Sequence, residues 1–219
     1  MDNEKIFSEQ MSLGERISSL YKQPEKLMEN LQKYPTILFP VLLLLLARPI
    51  YYLICYPGYL DFVKEMFNVT NDELLNQQAV TGMFFDVGML FAVWIINTTV
   101  MYLYSKLMKG SGTFKQFFST SGYAYLAVIP MLLIMTVGYF NTGNLTMNFS
   151  PSIFIKGSKG TAIYGILRGF CVFSIYQNIM MGIGFYKVSK LSKIKSAAII
   201  IVIFLSWVAF YFPSLKNMG

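Results

Sequence analysis

The sequence predicts an all-α polytopic membrane protein, a bundle of five transmembrane helices with a short N-terminal amphipathic helical segment. Composition is the first reason: the chain of 219 residues is 55% hydrophobic and 13% charged, whereas a soluble domain carries about 25% charged residues. The second reason is that the apolar residues gather into five runs of the length that a helix needs to cross a bilayer. The third is that lysine-rich segments without acidic residues follow two of these runs, as is typical of cytoplasmic loops.

Residues 1–35 are predicted to form a cytoplasmic amphipathic helical tail. Apolar residues such as Leu20, Leu27 and Leu31 recur at helical spacing, and Pro24 divides the pattern into two short helices. Two interpretations of this tail stay open. Either it lies on the membrane surface or docks a partner, or it packs under the bundle's own cytoplasmic face.

The membrane domain is predicted to extend over residues 36–212, with a short outer tail at residues 213–219. Its five spans are expected at about residues 36–57, 82–104, 120–140, 161–186 and 194–212. Pro49 is expected to kink the first span and Pro130 to interrupt the third, because proline removes a helical hydrogen bond. The acidic stretch 58–81 is expected to form a loop.

The distribution of lysine and arginine predicts a cytoplasmic N-terminus and an outside C-terminus. One side of the five-span arrangement carries twelve of these residues and the other carries four, and the richer side is normally the cytoplasmic one. Seven lysines form what we call the basic face: Lys106, Lys109, Lys115, Lys187, Lys190, Lys193 and Lys195. We expect this face to attract anionic lipid head groups or to contact a partner protein; the alternative is that these lysines only fix the topology.

Three charged residues fall within the predicted spans: Arg48, Asp86 and Arg168. At 1.5 Å per helical residue, all three are expected in the outer half of the bilayer. An isolated arginine at the bilayer centre costs about 2.5–3.5 kcal/mol, so the two arginines call for a carboxylate partner. The sequence therefore predicts an intramembrane charge network, which either holds three spans together or lines a polar cavity that binds an anionic group.

A second polar layer is predicted nearer the cytoplasmic side. Asn97 in the second span, with Gln177 and Asn178 in the fourth, falls in the inner third by the same counting. Amides that bond across helices in lipid contribute around 0.6 kcal/mol each. We therefore expect these three residues to act mainly as links between helices.

Two pairs of small residues predict close helix packing. Gly165 and Gly169 form a GxxxG pair, and Gly88 with Ala92 forms the looser variant of the same pattern. Either pair could serve the bundle itself or a homo-oligomer, and the sequence does not choose between them.

No catalytic constellation is recognisable in the sequence. The chain contains no histidine, the commonest general base and metal ligand. It has no phosphate-binding glycine loop with lysine, no metal-ligand set and no base beside a serine. We therefore expect a protein that is not an enzyme and needs no cofactor. The net charge of +7 lies beside apolar spans, which favours an anionic lipid surface over nucleic acid as its partner.

Three stretches resemble one protein family. They are SSLYKQPEKLMENLQKYPTILFPVLLLLL (18–46), GSGTFKQFFSTSGYAYLAVIP (110–130) and FSIYQNIMMGIGFYKVSKLSKIKSA (173–197). The first is similar to the family's proline-marked helix and first span. The second resembles its glycine-rich basic loop leading into a third span with proline, and the third its fourth span and following loop. The chain resembles the Yip family, the five-span Ypt/Rab-interacting membrane proteins, in its bacterial form.

The resemblance implies five spans and a cytosolic N-terminus. Eukaryotic members bind Rab GTPases and shape or sort vesicle membranes, but the short tail and Ile37–Pro40, which replaces their Asp-Leu-Tyr-Gly-Pro motif, depart from that branch. Bacterial relatives are associated with ABC-type exporters. The resulting hypothesis is a non-enzymatic accessory or scaffold subunit of an export or trafficking complex in the bacterial plasma membrane. The alternative is a small permease or anion-binding channel component that uses a polar intramembrane cavity.

Overall fold

The computed structural model describes residues 10–68, 71–143, 145, 149–155 and 160–215. Within these residues the chain is helical and contains no strand, so the predicted fold class is confirmed. The helices are α1 Leu13–Lys22, α2 Pro24–Lys33, α3 Leu38–Ile54, α4 Tyr56–Phe67, α5 Asp72–Leu107, α6 Phe114–Tyr125, α7 Val128–Thr142, α8 Ala162–Gly169, α9 Val172–Ser189 and α10 Lys193–Leu215. A 3₁₀ turn, Pro151–Phe154, packs against α8.

Among the described residues, three helices are long and apolar enough to cross a membrane. They are α5, α10 and the continuous pair α6–α7 over Phe114–Thr142. Two further pairs, α3–α4 and α8–α9, pass the same test only when each bent pair is counted as one span, which raises the number to five. The chain is therefore an integral, multi-pass membrane protein, with three to five candidate spans.

The first predicted span differs from the observed helix in where it bends. Helix α3 continues through Pro49, and the chain turns by 83° between α3 and α4, at Cys55. The bend precedes Pro57, which lies in the first turn of α4. A proline ring clashes with the carbonyl group four residues before it, so Pro57 fits the start of a new helix better than the continuation of α3.

The third predicted span contains the expected proline interruption. The amide groups of Leu126, Ala127 and Ile129 bond to carbonyls only three residues earlier, as in the tighter 3₁₀ geometry. Pro130 follows directly, and its ring excludes an α-helical bond to the carbonyl of Leu126. The turn between α6 and α7 is therefore local, and the two helices stay in one span.

Most of the described residues in the stretch 58–81 are helical, where a loop was expected. Helix α4 covers its first part, and α5 begins at Asp72, capped by the Asn71 side chain, which accepts hydrogen bonds from two backbone amides. Asp72 and Glu73 in the first turn of α5 stabilise it further, because negative side chains interact favourably with the positive end of the helix dipole. With 36 residues, α5 is about 54 Å long, so its polar beginning projects well beyond a 30 Å hydrocarbon core.

The last two predicted spans also differ from the observed helices, the fourth by a break and the fifth at its end. The fourth is broken by a 50° bend at Phe170–Cys171, between α8 and α9. Helix α10 continues past Pro213 to Leu215. Residues 216–219 of the predicted outer tail, like residues 1–9 of the predicted N-terminal tail, lie outside the described residues.

The two N-terminal helices pack on the bundle, as one of the two interpretations of the tail expected. Helix α2 lies against α9 and α6, and its Leu27, Met28 and Leu31 side chains are fully buried. Helix α1 packs on α2 and leaves a stripe of Leu13, Ile17 and Tyr21 exposed. Helices α1 and α2 are thus part of the folded bundle, with one apolar stripe facing outward.

Candidate functional site

A cavity of about 430 Å³ lies among the helices of the bundle. Side chains from α3, α5, α6, α7, α8, α9 and α10 line it. The lining includes all six of the charged and amide residues that the sequence marked within the spans: Arg48, Asp86, Asn97, Arg168, Gln177 and Asn178. A space of this size is typical of small-molecule sites, which combine an apolar lining with a few polar groups.

One ion pair joins α3 to α5 at the cavity wall. The Nη1 atom of Arg48 donates to Oδ2 of Asp86 at 2.5 Å, and the two side chains are 19% and 34% exposed. The phenol of Tyr52, one helical turn after Arg48, lies close to both charged groups. The pair therefore holds two spans together and also presents charge to the cavity.

Arg168 stands apart from this pair. It lies in the last turn of α8 and lines the same cavity, but within the described residues it forms no ion pair. Its Nη1 atom is buried and has no hydrogen-bond partner there, and the same holds for Nε of Arg48. The structure thus brings together one arginine–aspartate pair and a second guanidinium group, instead of a joined network of three.

The electrostatics of the cavity favour an anion. Its described lining carries two guanidinium groups and one carboxylate, which leaves one positive charge in surroundings where electrostatic interactions are weakly screened. The first turn of α9 also faces the cavity, through Cys171, Phe173 and Ser174. Cys171 is the N-cap residue and makes no capping side-chain bond, while the first amide of α9, that of Val172, donates to the carbonyl group of Phe149. The dipole of α9 adds a partial positive charge to the same field.

The predicted amide layer belongs to this cavity as well. Asn97 donates to the hydroxyl group of Tyr125 at 2.8 Å, and Asn178 donates to the backbone of Ser174. The Oδ1 atom of Asn178 is buried without a hydrogen-bond partner among the described residues. Because α5 carries Asp86 and Asn97 eleven residues apart, the cavity extends about 16 Å along that helix and includes both predicted layers.

The two small-residue pairs have different surroundings. Gly165 and Gly169 are buried, and a Cβ atom on Gly169 would lie 2.9 Å from the side chain of Val208. Gly169 therefore packs α8 against α10 within the chain. Gly88 meets nothing within 4 Å and, with Ala92, stays available to lipid or to a second copy.

Comparison with known proteins places the chain in a family. The Yip1 domain family matches residues 18–215. The chain belongs to this family. The predicted resemblance is thereby confirmed, and the Yip1 domain is not a known enzyme family. No curated protein and no solved structure shows significant similarity to the chain.

The basic face of this Yip1-domain protein is built from two loops that are bonded to each other. The backbone amide of Ser111 donates to the carbonyl group of Ser189 at 2.8 Å, and its hydroxyl group donates to the carbonyl of Val188. Most lysines of the face are exposed at its surface: Lys106, Lys109, Lys115, Lys190, Lys193 and Lys195. The two loops therefore form one continuous basic surface.

Lys187 is the exception on the basic face. Its Nζ atom lies 2.7 Å from Glu29 and 3.2 Å from Glu25, both on α2. Partly exposed pairs of this kind contribute about 0–1 kcal/mol each. Lys187 therefore helps to dock α2 on α9, and its charge is compensated within the chain.

Arg16 is a buried residue of the Yip1-domain bundle that the sequence analysis did not predict. Its side chain is 1% exposed, and its guanidinium group donates to the side chains of Asn30, Thr36 and Tyr123 and to two backbone carbonyls. No carboxylate is among these partners. On a helical projection arginine belongs to the polar face of α1, and only the fold shows that this position faces α2 and α6.

Proposed function

We propose that this Yip1-domain protein is a non-enzymatic membrane protein that binds an anionic group in its central cavity, as a small permease or anion-binding channel component. The observation that carries the proposal is the excess of guanidinium groups in the cavity. Arg48 and Arg168 face one carboxylate, and each arginine has a buried N–H group without a partner among the described residues. Such groups cost about 1–3 kcal/mol when left unsatisfied, so an anion that accepts from both is favoured.

For orientation we propose a cytoplasmic N-terminus in a bacterial plasma membrane. Helix α2 and both lysine loops lie at one end of the bundle, as the bonds from Lys187 to Glu29 and from Gln116 to the carbonyl of Gln32 indicate. Most of the chain's cations therefore gather at one end. The positive-inside rule assigns this end to the cytoplasm.

The two cysteines provide the experiment that tests the cavity. Cys171 lines it, whereas Cys55 is fully buried in the core and does not. We would prepare two single-cysteine proteins, Cys55→Ser and Cys171→Ser, and measure their labelling by a small neutral polar thiol reagent in the membrane. The Cys55→Ser protein, which keeps Cys171, is expected to react at least tenfold faster than the Cys171→Ser protein.

Each outcome of this labelling bears directly on the proposal. Fast labelling of Cys171 with protection of Cys55 supports a water-filled cavity at the predicted place. Protection of both cysteines, with full reaction after denaturation, would indicate a dry and closely packed bundle and would overturn the cavity function. The Cys171→Ser protein serves as the matched control, since Cys55 experiences the same membrane and the same reagent.

The basic face favours a second candidate function, that of an accessory or scaffold subunit of an export or trafficking complex. Its two loops form one continuous cationic surface through the Ser111–Ser189 bond. The test is purification in a gentle detergent of the parent protein and of the triple variant Lys109→Gln, Lys115→Gln, Lys190→Gln. A stoichiometric membrane partner that the triple variant loses, and that a Lys22→Gln control keeps, supports this role. Recovery of the protein alone at one defined size contradicts it.

A further inference from the structure

A second space, an apolar groove, lies between α9 and α10. Its volume is about 540 Å³, and its walls include Phe170, Ile183, Ile200 and Phe204. Some of its isoleucines are open to the outside of the bundle: Ile175, Ile179 and Ile201. The groove can therefore be entered from the lipid side, and its lining suits a hydrocarbon chain.

The groove and the central cavity are adjacent. Asn178 and Phe204 line both spaces. The break between α8 and α9 lies at the same boundary, since Phe170 faces the groove and Cys171 faces the cavity. The two spaces together thus have a cationic part next to an apolar part.

Charge decides which end would take a polar head group. At the far end of the groove, Lys193 is exposed at the surface, and Lys187 is paired with Glu25 and Glu29. The cations at that end are therefore either hydrated or already paired. At the cavity end Arg168 has a buried N–H group without a partner among the described residues, so an anionic head belongs there.

We infer that the ligand of this protein is an anionic amphiphile whose head group binds between Arg48 and Arg168 and whose alkyl chain lies in the α9–α10 groove. This inference rests on the proposed anion-binding function and adds the chemical class of the ligand. It predicts that affinity rises with chain length. Burial of a methylene group increases affinity by up to about fourfold.

The test uses protection of Cys171 in the Cys55→Ser protein by a series of linear carboxylates, namely acetate, butyrate, hexanoate and octanoate, at constant ionic strength. The concentration that halves the labelling rate is expected to fall at each step of the series. Octylammonium, with the same chain and the opposite charge, is expected to give no protection. Equal protection by octanoate and octylammonium would indicate unspecific partitioning and would overturn the inference.

Leucine substitutions at two glycines, one in the groove and one outside it, give a matched pair of variants. A Cβ atom on Gly182 would meet only Ile200, at 3.7 Å, so a longer side chain at this position projects into the groove. Gly182→Leu is expected to abolish the advantage of octanoate over acetate and to leave protection by acetate unchanged. Gly88→Leu, on a glycine with open space around it, is expected to keep the full chain-length dependence.

The failure of this inference differs from the failure of the proposed function. Equal protection by acetate and octanoate leaves an anion site without a chain groove and overturns only the inference. No protection by any carboxylate overturns both.

A second readout does not depend on Gly182. Trp207 lines the cavity and Trp94 does not, so a Trp94→Phe protein reports the fluorescence of Trp207 alone. In this protein, dibromostearate should quench Trp207 more than its methyl ester does. Equal quenching by the acid and the ester would also overturn the inference.

Discussion

Arg48 and Asp86 form an ion pair, with Nη1 and Oδ2 2.5 Å apart, on the wall of a cavity that also contains a second guanidinium group. The pair performs two tasks at once. It links α3 to α5, and it reduces the positive charge that the cavity presents. Removal of the carboxylate should therefore weaken the bundle and strengthen the attraction for anions, and the two effects can be measured separately.

The Asp86→Asn variant is expected to lose about 1–3 kcal/mol of unfolding free energy. Breaking a buried ion pair costs about 3–5 kcal/mol, but the partial exposure of both side chains reduces this effect. The melting temperature in detergent should fall accordingly. At the same time an anionic thiol reagent should react faster with Cys171, because the cavity gains one unit of positive charge.

The control for this variant is Asp61→Asn, which removes an exposed carboxylate from α4. It is expected to leave both the melting temperature and the labelling rate near those of the parent protein. If both variants melt at the parent temperature, the Arg48–Asp86 pair does not contribute to the stability of the bundle, and the structural role assigned to it is contradicted.

The Arg16→Met variant is expected to loosen the N-terminal helices. Methionine replaces only the aliphatic part of the side chain and removes every donor, so Asn30 and the backbone carbonyl of Tyr34 lose a bonding partner in the interior. The expected cost is about 2–4 kcal/mol. Limited proteolysis should cut α1 and α2 faster than in the parent protein.

Lys22→Met provides the comparison for Arg16→Met, since Lys22 is an exposed cation at the end of the same helix. Its proteolysis rate should match that of the parent. Equal rates for all three proteins would show that the buried guanidinium group does not hold the tail on the bundle.

The Gly122→Ala variant is expected to destabilise the contact between α5 and α6. A Cβ atom at this position would overlap with Cζ2 of Trp94, and overpacking of a core typically costs about 1–3 kcal/mol. Gly88→Ala has open space around it and should instead stabilise the helix by about 0.5–1 kcal/mol. Thermal unfolding of both variants checks the prediction; a stabilised Gly122→Ala protein would mean that α5 and α6 are further apart than described.

The sequence predicted the fold class because composition and apolar run length respond directly to the bilayer. It did not predict that residues 58–67 and 72–81 are helical, since acidic composition alone does not distinguish a loop from a solvated helix. The Asn71 side chain accepts hydrogen bonds from two backbone amides and so stabilises the start of a helix at this point. The bend at Phe170–Cys171 was also missed, because no proline marks it and Gly169 was attributed to close packing alone.

The residue types of the candidate site followed from a simple rule, that ionisable residues inside a span usually mark function or pairing. Their arrangement did not follow. Counting along straight helices put Arg168 and Asn178 in separate layers, whereas both line one cavity around the break between α8 and α9. Arg16 could not be predicted because its contact with Tyr123 joins positions 107 residues apart.

The most direct test of anion binding is the charge preference of Cys171. In the Cys55→Ser protein, two methanethiosulfonate reagents of similar size, one a sulfonate and one a quaternary ammonium, are compared with and without Arg168→Gln. Each labelling rate is divided by the rate of the same reagent with a free thiol in solution, because a thiolate itself favours the cationic reagent. We expect the relative rate of the sulfonate to be about tenfold higher, consistent with one positive charge acting at moderate screening, and we expect Arg168→Gln to remove most of this preference. Equal rates for both reagents, or a preference that Arg168→Gln leaves intact, would contradict an anion-binding cavity.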